Sequence, residues 1–167
     1  VKAANVNEFI EKSPDFGADG YKKFDESLKH LGEDGIAAAF ETFRTIFFGM
    51  TATSVPLKTQ LNAFDFIVKY EFAGRSEFIN KVINDALLRD DFKEILPLFD
   101  KAVACVDGND VDRHVALRLN AAELLRKRSE FTLAKNYYSA VLEIEEGNLT
   151  ALWGSLMCGL KATPNGD

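Results

Sequence analysis

The chain has 167 residues, 47% of them hydrophobic and 14 of them phenylalanine, with a net charge of -6 and a pI near 5.0. A chain of this length and apolar content can bury a core of its own, which excludes a disordered tail and predicts one domain over 1–167. With 26 acidic against 20 basic residues, nucleic acid is a disfavoured partner, because Lys and Arg carry such binding against phosphates.

Runs rich in Ala, Leu, Phe, Glu and Lys favour helix, and the alternation of β-branched residues that marks strands is missing. Breakers then delimit helices over 4–12, 19–31, 35–49, 56–72, 75–89, 92–106, 110–128, 131–146 and 149–162. Short links make sequential helices antiparallel. The expected fold is all-α, a short α-solenoid of stacked antiparallel helical hairpins, less regular over 1–75 and clearest over 76–162.

Near the first helix, "DFGADGYKKFDE" (15–26) imitates a calcium loop, with Asp15, Asp19, Gly20 and Glu26 at loop positions one, five, six and twelve. Gly17 removes the ligand at position three, and Lys22 replaces the apolar residue at position eight. The simpler reading places Asp19 and Gly20 at a helix start, where a carboxylate suits the helix dipole. No metal is expected.

Further along, "FKEILPLFDKAVACVDGN" (92–109) aligns with "FTLAKNYYSAVLEIEEGN" (131–148) at an offset of 39 without a gap. Phe92 matches Phe131, Phe99 matches Tyr138, Ala102 matches Val141 and Cys105 matches Ile144. Each block presents an apolar stripe that only a neighbouring helix pair can cover. Phe92 and Phe99 are expected to be buried, along with Val82 and Ala86 of the preceding helix. Pro97 is expected to bend its helix, since it lacks a backbone N–H.

The stretch "FINKVINDALLRDDFKEILPLFDKA" (78–102) resembles a pentatricopeptide hairpin, with an acidic pair at the turn and Ala102 packing the second helix. The block 131–148, continuing into "LTALWGSL", is similar to the second helix of a tetratricopeptide repeat and the start of the next, with Ala134 and Tyr138 at its small and aromatic packing positions. Arg118 stands where the family places an aromatic residue, so a regular peptide groove is not expected. In size, helical class, acidity and repeat type the chain also resembles the small pentatricopeptide-like accessory subunits on the catalytic head of trypanosome mitochondrial ATP synthase. That resemblance implies a non-catalytic protein docked on the outside of the α subunit, in the mitochondrial matrix or an inner-membrane-associated complex. Without it, a cytosolic location is expected. The start at Val1 leaves import open.

Chemistry finds little footing. His30 and His114 fall in separate helical segments, and His114 is expected to face solvent early in its helix. Cys105 and Cys158 form no CxxC, and Cys105 reads as a small core residue. No phosphate loop of the G-x-x-x-x-G-K-[ST] kind occurs, so no cofactor and no enzymatic activity are expected. "NLT" at Asn148 reads as a helix start rather than a glycosylation site. No apolar run approaches the roughly 20 residues of a membrane span.

The expected function is that of a structural or assembly subunit. The alternatives are an RNA-binding pentatricopeptide module, for which Arg118, Arg126, Lys127 and Arg128 are the best basic cluster, and a tetratricopeptide adaptor for a partner peptide. The expected docking residues lie in "LTALWGSLMCGL" (149–160), which carries no charge: Leu152, Trp153, Leu156 and Met157. With Leu149 and Leu160 they form a stripe that is expected to pack on helix 131–146, and a second protein or the N-terminal helices to cover what remains apolar.

Overall fold

A computed structural model describes residues 18–72 and 74–162. Among these residues the chain is all-helical: α1 (Ala18–Leu28), α2 (Glu33–Phe48), a 3-10 turn (Ala52–Ser54), α3 (Leu57–Ile67), α4 (Arg75–Leu88), α5 (Leu96–Ala104), α6 (Val111–Lys127), α7 (Phe131–Ile144) and α8 (Leu149–Ala162). Contacts group the chain into two compact units, 1–102 and 103–167, and α5 crosses the boundary.

The first unit is built on α2. Glu33 and Asp34 lie in its first turn, where the dipole favours them, and Phe40, Phe43, Phe47 and Phe48 recur on one buried face. Phe24 of α1 meets Phe40 and Phe43, while Phe48 meets Phe64 of α3 and Phe78 of α4 edge-on. The helix expected over 56–72 ends early, at Ile67. There the Arg75 Nε–H donates to the Val68 carbonyl at 2.9 Å, satisfying a group past the helix end. Gly74 takes a left-handed φ of 86°, which reverses the chain into α4.

Arg89 is buried just after α4. Its guanidinium donates to both Asp91 carboxylate oxygens at 2.7 Å and to the Gln60 side-chain oxygen at 2.9 Å. This pairing holds the Asp91 carboxyl below its ordinary range. It also anchors the turn over 91–95 that precedes α5. Pro97 therefore does not bend a long helix as expected. It lies in the first turn of α5, where a missing N–H costs little, and the expected helix 92–106 is instead a turn followed by Leu96–Ala104. Phe92 and Phe99 are buried with their rings 5.3 Å apart, and Val82 and Ala86 are buried too.

In the second unit α7 packs closely against both α6 and α8, and α6 also reaches α8. Asp110 caps α6 by accepting from the Arg113 N–H at 3.1 Å. Ser129 takes φ 62° after α6, and the Glu130 N–H returns to the Leu125 carbonyl at 2.9 Å, a left-handed helix stop that leads directly into α7. The offset of 39 preserves burial at Ile95 and Ala134, at Phe99 and Tyr138, and at Ala102 and Val141.

The calcium look-alike does not form a loop. Asp15 lies outside the described residues, and positions 18–26, including Asp19 and Glu26, run as the helix α1. A calcium loop would have to turn through those positions.

Candidate functional site

The outer surface of α8 follows from which of its sides meets α7. Asn148 starts the helix: its side-chain oxygen accepts from the Ala151 N–H at 2.9 Å, and its amide donates to Glu145 at 2.6 Å. The sequon asparagine is thus a helix cap. From there Ala151, Gly154 and Cys158 fall on one side of α8 at three- and four-residue spacing, and all three are buried. A methyl group at Gly154 would sit 2.3 Å from the Tyr138 ring of α7, so glycine is what lets the hydroxyl end of the ring approach the α8 backbone.

This reverses the expected orientation. The large stripe does not pack on α7: Leu149 is 79% exposed and Trp153 66%, with Leu152, Leu156 and Leu160 also open to solvent. Shape decides the matter. A bulky Tyr138 needs a small-residue side to nest in, and the ridge of leucines would hold the helices apart. The pattern Ala151, Gly154, Cys158 was the sequence signal for the inner side. Met157 is half-buried, at the edge of the stripe.

Two grooves flank the exposed ridge. One, of about 510 Å³, has walls from Trp153, Gly154, Met157, Phe131, Arg126 and Lys161. The other, of about 450 Å³, lies among Leu142, Lys135, Leu152, Leu156 and Leu160. A regular groove between helices is not expected from the sequence, where Arg118 replaces an aromatic residue. The groove is lined instead by α8 together with Phe131 of α7 and Glu123 and Arg126 of α6.

Polar groups are ordered beneath the first groove. The Tyr138 hydroxyl donates to the Glu123 carboxylate, and Arg126 donates to the same carboxylate at 2.6 Å. Arg126 holds the Glu123 carboxyl below its ordinary range, while burial and then the Glu123 bond push the Tyr138 hydroxyl up to about 12. Lys161, the only charged residue of α8, lies 5.5 Å from the Phe131 ring centre.

The remaining sequence candidates are distributed elsewhere. His30 is exposed in the turn after α1. His114 is not solvent-facing as expected: it is half-buried, Nε2 within 3.3 Å of the Val106 and Asp107 carbonyls and Nδ1 2.9 Å from an Arg118 nitrogen. Since a guanidinium only donates, Nδ1 accepts and Nε2 carries the proton, so His114 fastens the start of α6 to the preceding turn. Cys105 is half-buried just beyond α5 rather than in the core. Burial raises the Cys158 thiol, away from a reactive thiolate. Of the basic cluster, Arg118 and Arg126 are engaged within the unit, by His114 and Glu123.

No helix among the described residues is long and apolar enough to cross a membrane. Comparison with protein-family models, with curated proteins and with solved structures gives no match, so the exposed ridge of α8 and its two grooves are read from their own chemistry.

Proposed function

We propose that the chain is a non-catalytic structural or assembly subunit of a larger protein complex, and that the outer ridge of α8 is its docking surface. The observation that carries this reading is a tryptophan and four leucines exposed together on one helix, a contiguous apolar surface of the kind that marks a protein interface. An exposed tryptophan beside a groove is the kind of residue that dominates binding energy at an interface. The side chains with chemical potential are occupied in ways that support it: His114 holds a helix start and the Cys158 thiol is buried.

The narrower form of the proposal, from the repeat-type resemblance, is an accessory subunit on the α subunit of the mitochondrial ATP synthase catalytic head. Affinity purification of the tagged native protein followed by mass spectrometry tests it, with α and β subunits expected in stoichiometric amounts. Recovery of unrelated chaperone or membrane machinery would redirect the reading to an adaptor. An RNA-binding role is less well supported, since Arg118 and Arg126 are engaged internally. A gel shift that retains sub-micromolar RNA affinity at about 150 mM salt would overturn the preference.

A further inference from the structure

We infer that the α8 ridge docks on the same ridge of a second copy of this chain, the two helices running antiparallel about a two-fold axis. The inference rests on the reading of the ridge as a docking surface and names its occupant. The distribution of charge along the face favours a second copy.

The ridge is apolar in the middle and oppositely charged at its two ends. Glu145 and Glu146 lie in the turn between α7 and α8, and both are exposed. At the other end Lys161, exposed beside the Phe131 ring, lies in the last turn, and Lys135 of α7 lies beside Gly159, whose added methyl would fall 3.4 Å from the Lys135 ammonium. A surface with acid at one end and base at the other is complementary to itself once reversed. An isologous pair needs that property, since each patch meets its own copy.

The register follows from the residues. Opposing Leu160 with Leu149 places Leu156 opposite Trp153 and brings Lys161 over the turn holding Glu145 and Glu146. The same register sets Trp153 of one protomer against Met157 of its partner, at the wall of the 510 Å³ groove. Trp153 is thus a protruding ring beside a recess on the same face, and the two-fold axis puts each ring into the other's recess. Both charged contacts occur twice. A parallel arrangement would instead stack lysine on lysine and glutamate on glutamate.

Sedimentation velocity of the full chain, up to about 100 μM, is the direct test, because a face one helix long falls in the weak, small-area class of interfaces. A reversible monomer–dimer equilibrium is expected, with Trp153, the only tryptophan, shifting its emission to the blue as concentration rises. Trp153→Ala should weaken self-association roughly thirtyfold. Lys161→Glu alone and Glu146→Lys alone should each weaken it roughly tenfold or more, since each places like charges opposite one another twice. Glu146 is chosen because Glu145 holds the Asn148 cap. Mixing the two charge variants should restore a dimer, a result that loss of folding in either one cannot produce.

A chain that stays monomeric over this range overturns the inference, as does a dimer insensitive to both charge reversals. If the chain is monomeric and Trp153→Ala still lowers recovery of other proteins from the native complex, the docking reading stands and only the second copy is wrong. If the charge-swapped dimer forms but purification returns no other protein, the second copy stands and the larger complex is wrong.

Discussion

Unit 1 fills its interior with rings: Phe24, Phe40, Phe43, Phe47, Phe48, Phe64 and Phe78 are all buried, and every phenylalanine of the chain except Phe131 lies in its sequence. Among the described residues of unit 2 the one buried ring is Tyr138, and the interior is otherwise made of small residues, Ala121, Ala122, Ala134, Ala151, Gly154 and Cys158, with the aliphatic Leu117, Leu125 and Val141. The backbones respond accordingly. In unit 2 α7 runs close to both its neighbours, whereas close backbone approach in unit 1 is chiefly that of α2 to the 3-10 turn, α3 and α4. Rings separate helix axes and hold them by volume, while small residues let backbones meet and hold them by fit. The two units should therefore fail under opposite insults, unit 1 when volume is removed and unit 2 when volume is added.

The largest effect expected from this contrast is in unit 1. Phe43 is fully buried and lies within 6.0 Å, ring to ring, of Phe24, Phe47 and Phe48. Phe43→Ala should cost about 3–5 kcal/mol in denaturant unfolding, because a rigid ring cluster collapses poorly into the space left behind. A loss under about 1 kcal/mol would mean that the cluster is loosely packed, and the contrast with unit 2 would lose its basis.

In unit 2 the corresponding test adds one methyl group. On helix propensity alone Gly154→Ala should stabilise α8 by about 1 kcal/mol. The methyl would instead meet the Tyr138 ring at 2.3 Å, so we expect a net loss of about 1–3 kcal/mol. Combining it with Tyr138→Leu should recover part of that loss in a double-mutant cycle. A neutral or stabilising Gly154→Ala would show that α7 and α8 can part without cost.

A smaller effect is read against pH. The Tyr138 hydroxyl is raised from 10.0 to about 12, so the folded state holds its proton more tightly than the unfolded state does. The contribution is complete below pH 10 and is lost as pH rises toward about 12. On the acid side the sign is opposite. Arg126 lowers Glu123 below its reference of 4.5, so that contribution is present above pH 4.5 and disappears as pH falls through the folded value. Stability measured against pH should lose part of its alkaline decline in Tyr138→Phe and part of its acid decline in Glu123→Gln, with Tyr70 and Asp91 of unit 1 keeping their own contributions. Persistence of both slopes in full would place the responsible groups elsewhere.

Much of the helix layout was legible because breakers are local. The residues before Glu33, around Pro56 and at Gly74, Ser129 and Asn148 fixed helix starts to within a few positions. What remained hidden depended on partners remote in sequence. Nothing local in the sequence marks Arg89 for burial, yet it is buried, with the side chain of Gln60, 29 residues earlier, meeting its guanidinium. Pro97 was placed mid-helix because the turn over 91–95 reads as helix until Arg89 and Asp91 pin it. The candidate site was legible as a set of residues and misread in direction. Hydrophobicity ranks Leu and Trp for the interior, but the choice of inner side was made by Tyr138 on another helix, which admits glycine and excludes leucine.

The smallest expected effect on stability is the one on which the docking surface depends. Trp153 is 66% exposed and sits on the side of α8 away from Ala151, Gly154 and Cys158, so its removal takes little apolar area out of the folded interior. Trp153→Ala should change unfolding stability by no more than about 0.5 kcal/mol, the range of ordinary surface substitutions. Its effect on assembly should be larger, about 2 kcal/mol or more in binding, because an interface tryptophan loses both its area and its recess when truncated. The ratio of the two effects is the diagnostic. If Trp153→Ala unfolds the isolated chain by several kcal/mol while the folded fraction assembles normally, Trp153 belongs to the core and the docking surface lies elsewhere. A variant that folds normally and fails to assemble would identify the ridge as a surface kept apolar for a partner and not for the fold.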